Sequence, residues 1–460
     1  MIVGWLPPMA LSQAPPSART TSSPLSVASS WRIVGLILAT IVAAYAPFLG
    51  GGFLTDDFVH LARLVHPSSL RDILTLPDAF GFFRPLTQAS LAADAALFGH
   101  SAAGYRVVNL GLHAGVLAAA FVVARMVLPS EAGAAAAALA FALTPKAHPI
   151  AVLWISARGE ILMTLFSLAC VASWIKWTRE GGHQWLAMSA CCYVLALLSK
   201  ETPILLPVVL FLSPGASRPI GTRLRAVMLL GSCALLLLWW RASAGALMPL
   251  SRDTHYYLGV PVFRFTRNAT NYAARMLPAP LMLIVVAGLA AFVSRRRVNG
   301  TARGSWTAAV FALAWTAALL APVLGIALRS EIYLYLPTFG CCLLAAWVAG
   351  PWLDRLVSER RGVPVVAAMV VLLAGYQASR SAVLHADLVF SERLLNALSD
   401  VSRPDRSRGP LVLVPADAFT RGYLEDAIGG YSDVVADFAN SRAGALRCTY
   451  ADGRVILEPL

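Results

Sequence analysis

Apolar residues in this chain come in long unbroken runs separated by short polar stretches. That is the pattern of embedded helices, not of strands or of helices with one wet face. The runs cover residues 31–49, 106–128, 131–145, 160–178, 184–199, 203–213, 226–248, 277–293, 306–328, 332–350 and 363–380. A bilayer span needs about 20 residues, so 184–199 and 203–213 are short. Ser199-Lys200-Glu201-Thr202-Pro203 divides them, either as a turn at the membrane surface or as the kink of a single span. The choice inverts everything downstream.

Charge arbitrates. With eleven spans and a cytoplasmic N-terminus, the five short inner connections hold thirteen Lys and Arg. The three short outer ones hold four: Lys146, Arg158, Lys200 and Arg329. An inner excess is what the positive-inside rule expects. The pattern therefore predicts an all-α polytopic membrane protein of about eleven transmembrane helices, with its C-terminus outside. Residues 1–30, rich in Pro and Ser, read as a disordered cytoplasmic tail, and 31–380 as the transmembrane domain. Within it, 50–105 forms a first outer loop with helices lying on the membrane surface. A second, 249–276, carries Tyr256, Tyr257, Arg264, Arg267, Asn271, Tyr272 and Arg275. Residues 381–460 read as a small extracytoplasmic α/β cap: a helix-like stretch at 386–398, a strand-like run at 411–414, and a hairpin signal at Asp452-Gly453.

Composition agrees. The chain has 460 residues, 58% of them hydrophobic and 13% charged, against about 25% charged in soluble domains. A soluble enzyme and a disordered chain are both excluded. The net charge of +13 is no nucleic-acid footprint. Residues 381–460 carry −3, so the membrane part carries +16, held in its loops. Six of the seven cysteines lie in apolar runs, which indicates no disulfide framework.

The candidate chemistry lies where spans meet the outer surface. Span one ends in Gly50-Gly51-Gly52-Phe53-Leu54-Thr55-Asp56-Asp57. Adjacent carboxylates beside a bilayer raise one another's pKa, which suits a general base or a metal ligand; an Asp at a helix end is also an ordinary cap. Arg84, set before Pro85, suits a fixed phosphate contact or a snorkelling surface charge. Asn109 and His113 share a face of the second span, where a polar side chain should face the bundle interior. The outer connections add Lys146, His148, Arg158, Glu160, Lys200, Glu201, Arg329 and Glu331. Taken singly, each is an interfacial charge closing a helix. Together, acids and bases gathered at one face can hold an anionic head group while a carboxylate activates an acceptor.

At these residues the sequence resembles the GT-C superfamily of glycosyltransferases, and most of all bacterial relatives of the protein O-mannosyltransferases and the transmembrane tetratricopeptide-repeat O-mannosyltransferases. The matching pieces are Asp56-Asp57, Phe83-Arg84-Pro85-Leu86, Asn109 with Leu112-His113, His148-Pro149, and Trp154 to Glu160. Leu198-Ser199-Lys200-Glu201 and Tyr333-Leu334-Tyr335-Leu336-Pro337 behind Arg329 follow. They run in order from about residue 45 to 345. No repeat array follows, and Glu160 stands where relatives often carry Asp.

The resemblance implies an inverting transfer of a sugar from a polyprenyl-phosphate donor at the outer face of a bacterial inner membrane, to an acceptor that is a protein, a glycan or a lipid. It implies Asp56 or Asp57 as base, a divalent metal near Asp56, and Arg84, Lys200 and Arg329 on the leaving phosphate. His113, His148, Arg158, Glu160 and Glu201 are further site candidates. A transporter or flippase is the competing expectation, although spans nearly free of acids and the lack of a visible repeat fit it poorly. A catalytically dead assembly partner is a third, which the retained carboxylates and basic set oppose.

Overall fold

The computed structural model describes residues 27–65, 70–78, 80–144, 146–246, 262–293, 306–358, 363–400, 411–427, 434–436 and 445–459. Most of the expected N-terminal tail, through residue 26, and Tyr256 and Tyr257 lie outside the described residues. Helix α1 (Val27–Tyr45) leads into the first loop, which folds as α2 (Asp56–Val65), α3 (Leu70–Thr75) and α4 (Pro85–Phe98). The bundle continues with α5 (Ala102–Val127), α6 (Glu131–Ala142), α7 (Ala147–Leu153), α8 (Arg158–Glu180), α9 (His183–Ser199), α10 (Leu206–Phe211) and α11 (Ile220–Ser243). Then follow α12 (Val262–Met276), α13 (Pro278–Val293), α14 (Trp306–Leu324), α15 (Thr338–Ser358) and α16 (Val363–Asp400).

Four stretches are long and apolar enough to cross a bilayer by length and composition: Ala102–Val127, Ile155–Glu180, Ile220–Ser243 and Trp306–Leu324. Two bent pairs, α6 with α7 and α12 with α13, raise the number to six among the described residues. Shorter apolar helices, His183–Ser199 and Thr202–Phe211 among them, complete the bundle. Small residues let α6 approach its neighbours closely; Ala134, Ala137, Ala138 and Ala142 are fully buried. Leu36, Leu235, Trp239 and Phe292 point outward, as lipid-facing side chains do.

The break at Lys200–Glu201 reverses the chain. Tyr193 Oη donates to the Ile204 carbonyl at 2.9 Å, and Trp174 Nε1 to Ser213 Oγ at 3.1 Å. The segment after the break therefore returns alongside α9 and ends level with the far end of α8. The charge count favours a turn here over a kink, and the chain does turn back at this point.

Helix α16 is 38 residues long, about 57 Å at 1.5 Å per residue. The last apolar run and the helix-like stretch at 386–398 are one rod, so the boundary expected at residue 381 falls inside it. Nothing between residues 376 and 400 is Gly or Pro, and so nothing interrupts the helix. Beyond it lie β1 (Leu411–Pro415), α17 (Ala418–Ala427), β2 (Val434–Ala436), β3 (Leu446–Ala451) and β4 (Arg454–Pro459). The sheet order is β2-β1-β3-β4, with β1 parallel to both neighbours and β3 antiparallel to β4. Asp452 and Gly453 turn that hairpin at φ values of 49° and 69°, the left-handed pair a two-residue connection needs. Phe390 and Leu394 of α16 pack against Leu413, Leu424 and Cys448 to make the core of this part.

Candidate active site

Two devices hold the chain where α1 runs into the first loop. Arg106 of α5, fully buried, donates to the carbonyls of Leu49, Gly50 and Gly51 at 3.2, 3.0 and 2.9 Å, and also to Gly52 and Leu153. A guanidinium has five N–H groups to satisfy, and this ring of carbonyls meets them without a carboxylate. From the other side, α16 approaches so closely that only glycine fits. A Cβ on Gly51 would meet backbone of Leu388 at 2.9 Å, and one on Gly52 the amide of Glu392 at 2.9 Å. Gly52 N donates to the Leu388 carbonyl at 2.8 Å, and Ser391 Oγ to the Phe53 carbonyl at 2.6 Å.

The adjacent carboxylates then part company. Asp57 is buried, and both of its oxygens are occupied. One accepts from Leu54 N at 3.1 Å, and the other from Ser156 N and Oγ at 2.7 and 2.5 Å. It caps α2 backwards and staples the loop to the turn before α8. Burial raises its pKa, while Ser156, Leu54 and Arg106 pull it back. Asp56 instead lines a cavity of about 310 Å³. Burial, reinforced by the charges of Asp57 and Asp78, pushes its carboxyl up to about 6.

Arg84, Glu160, Lys200 and Glu201 line the same cavity. Arg84 sits at φ −133°, outside the helix that Pro85 begins, and its fork meets Glu201 at 3.2 Å through Nε and 2.6 Å through Nη2. Burial works against the Arg84 charge, but Glu201, with Asp78 and Glu160 beyond it, outweighs burial and raises its pKa. For Glu201, burial would lift the carboxyl, yet Arg84, Arg241 and Lys200 together hold it well below the usual range. Lys200 pairs with Glu160 and stands 5.0 Å over the Tyr333 ring. The glycine between Arg158 and Glu160 permits this convergence. Its missing Cβ would lie 3.1 Å from Thr87 Oγ1 and 3.2 Å from the Ser199 carbonyl, where α4, α8 and α9 meet.

The remaining candidates lie elsewhere. Arg158 is buried against Asp94 at 2.5 Å, Ser90 at 2.8 Å and Asn109, which makes it an internal tie between α8, α4 and α5. His113 and His148 meet edge to face, ring centres 4.9 Å apart, in an aromatic cluster with Tyr335 and Phe141, and neither lines the cavity. Arg329 is exposed in a separate basic pocket, while Lys146, Arg275 and Arg380 surround Glu331 at 3.4, 3.5 and 3.3 Å.

Sequence reasoning passed over Arg241 of α11, which also lines the cavity and reaches Glu201 at 3.4 Å. An ionisable residue inside an apolar run is itself a signal of function, and that signal was there to be read. It also passed over His60 and Asp78, which line the cavity beside Asp56. Among the described residues, no group of three or more His, Cys, Asp or Glu side chains is placed to hold a metal ion. Asp57, spent on backbone and Ser156, cannot join Asp56 as a ligand pair. Among the described residues, the metal expected near Asp56 therefore finds no protein cage.

No protein-family model matches the chain. Over 146 residues it is 34% identical to protein O-mannosyl-transferase Tmtc1 of Drosophila melanogaster, a stretch covering 31% of this chain and 17% of that relative. The chain thus spans about a sixth of the relative's length. In architecture it is similar to ArnT from Cupriavidus metallidurans bound to undecaprenyl phosphate, at a TM-score of 0.54 and 11% identity over 93% of this chain and 94% of that one. The apo form of that protein matches at 0.53 and 14% identity over the same shares. Over 93% of its length, the chain therefore shares the fold of ArnT.

Proposed function

We propose that this protein is a membrane glycosyltransferase that moves a sugar from a polyprenyl phosphate to an acceptor hydroxyl. One observation carries the reading: a single cavity sets Asp56, with its raised pKa, among Arg84, Lys200 and Arg241. The undecaprenyl phosphate bound by ArnT supports the class of donor, and the O-mannosyltransferase stretch supports transfer to a hydroxyl. Asp56 takes the proton of the acceptor O–H as the oxygen forms its bond to the anomeric carbon. The bond from that carbon to the phosphate oxygen breaks, and the electron pair leaves with polyprenyl phosphate. Arg84, Lys200 and Arg241 stabilise the charge developing there, the place where fixed cations lower a barrier most. Attack opposite the leaving group inverts the anomeric centre.

We place this cavity at the extracytoplasmic face of a bacterial inner membrane as part of the same proposal; the excess of Lys and Arg in the connections read as cytoplasmic supports it. The test is transfer by the purified protein in nanodiscs from polyprenyl-phosphate sugars to membrane extracts. A glycoside of inverted configuration, together with free polyprenyl phosphate, is the expected result. Labelled sugar that crosses proteoliposomes without forming a glycoside would instead establish transport and end this reading. Mass spectrometry of envelope glycans from a deletion strain then identifies sugar and acceptor together.

A further inference from the structure

A second basic cavity lies beside the first. It measures about 400 Å³ and is lined by Arg267, Arg275, Ala327, Leu328 and Arg329, three cations and no acid. Leu328 lines both cavities and Ser330 lines the first, so only the short segment 328–330 separates them. Among the described residues, neither Arg267 nor Arg329 has a carboxylate partner, and Arg275 has only Glu331 at 3.5 Å, shared with Lys146 and Arg380. This differs from the first cavity, where each cation faces a carboxylate.

The pocket is built and not incidental. Asn268, Tyr272 and Met276 form the buried stripe of α12, and the fully buried Asn268 donates to the carbonyls of Leu324 and Ile326, each at 2.9 Å. Arg264 adds a bond to the Gly325 carbonyl at 3.4 Å. These contacts fix the register of α12 against 324–330 and bring Arg267 and Arg275 to Arg329. The start of the same helix exposes Val262 and Phe263. Arginines next to exposed apolar side chains on one helix are what an interfacial element presents to a lipid.

We infer that Arg267, Arg275 and Arg329 form a second anion site that takes a phosphate group, distinct from the cations proposed to hold the donor. Three guanidiniums line one cavity, and the only carboxylate paired with them among the described residues, Glu331 on Arg275, is shared with Lys146 and Arg380. Like charges so placed repel one another, and a phosphate, with oxygens that match the guanidinium fork, relieves that repulsion. The phosphate is that of a lipid head group or is free in solution. Seated there, it rests against the wall of the transfer cavity and steadies the segment 328–330.

The full chain, exchanged into nanodiscs of phosphatidylcholine with and without phosphatidylglycerol, distinguishes the sources. Retained lipid is counted by native mass spectrometry after extraction, and binding of labelled inorganic phosphate is measured in parallel. Wild-type protein is expected to retain phosphatidylglycerol over phosphatidylcholine, or to bind inorganic phosphate. Replacing all three arginines by Gln should lower that binding by roughly tenfold or more, since each charge-assisted contact is strong. The single exposed change Arg329→Gln gives the same direction should the triple variant fold poorly. Asp56→Asn keeps the phosphate binding, so failure of the transferase reading and failure of this one are told apart. The proposal is overturned by binding of neither probe to wild-type protein, or by equal binding to wild-type protein and a folded Arg329→Gln variant.

Discussion

Asp56→Asn should cost the protein its activity and leave it more stable. In the folded protein, burial and the charges of Asp57 and Asp78 carry the Asp56 carboxyl from 3.8 to about 6. The folded state therefore holds its proton more tightly than the unfolded chain does. Stability linked to this group is fully present below pH 3.8 and declines as pH rises to about 6. Above that the loss is on the order of 3 kcal/mol, an upper figure because Asp56 keeps part of its surface in water. Asn removes the charge, so at pH 8 the variant should melt higher than wild type, and the gain should vanish near pH 4. Catalysis by wild type runs the opposite way. A base of pKa about 6 is about 97% deprotonated at pH 7.5 and about 9% at pH 5, so kcat/KM should fall roughly tenfold between them. Thermal melts of detergent-solubilised protein across pH, beside donor-transfer assays, test both limbs. Full transfer activity in Asp56→Asn refutes the assignment; an unchanged melting temperature at pH 8 refutes the electrostatic account of it.

Three other changes separate the roles around that base. Asp57→Asn puts an amide N–H against the backbone donors Leu54 or Ser156, so it should destabilise the fold by about 1–3 kcal/mol at neutral pH, read as a lower melting temperature. Arg241→Gln removes one cation proposed to contact the donor phosphate and should raise the donor KM about tenfold or more, with the melting temperature little changed; an unaltered KM argues that Arg241 serves Glu201 alone. Gly51→Ala combines a residue at φ 89° with a Cβ 2.9 Å from backbone of Leu388. It should lower stability by about 1–3 kcal/mol and depress kcat by displacing α2; retention of both would show that α16 does not position the loop.

What the sequence disclosed follows the range of the physics involved. Apolar runs announce helices because every backbone polar group in a bilayer must be satisfied within its own segment. Asp452-Gly453 announces its turn because few residue pairs tolerate two left-handed conformations in succession. The gathering of Arg84, Glu160, Lys200 and Glu201 was legible as charges at one end of several helices. Which of Asp56 and Asp57 faces the cavity was not. Adjacent helical residues point about 100° apart, and only contact with Ser156, 99 positions away in sequence, decides which one turns inward. Arg158, His113 and His148 carried the same local signature as the cavity residues. Their burial among Asp94, Asn109 and Tyr335 depends on long-range packing that no local pattern encodes.

The clustering of acids at one membrane face also gains a physical reason. Cations proposed to grip a leaving phosphate must exist before the phosphate arrives, in a cavity partly shielded from water. A buried ion left without a partner costs about 3–5 kcal/mol, enough to drive out the residue or its charge. Glu201 between Arg84 and Arg241, and Glu160 against Lys200, remove that penalty in the empty site. They also keep each side chain in a fixed direction. A phosphate entering the cavity then competes with carboxylates for guanidinium and ammonium donors already aimed inward. The energy released is only the difference between two ion pairings, so a product phosphate held by the same groups can still depart. Two acids lining the cavity stand outside these ion pairs, Asp56 and Asp78, and Asp78 accepts from the backbone amides of Phe80 and Phe82 at 3.0 and 2.8 Å, which is why the role of base is proposed for Asp56.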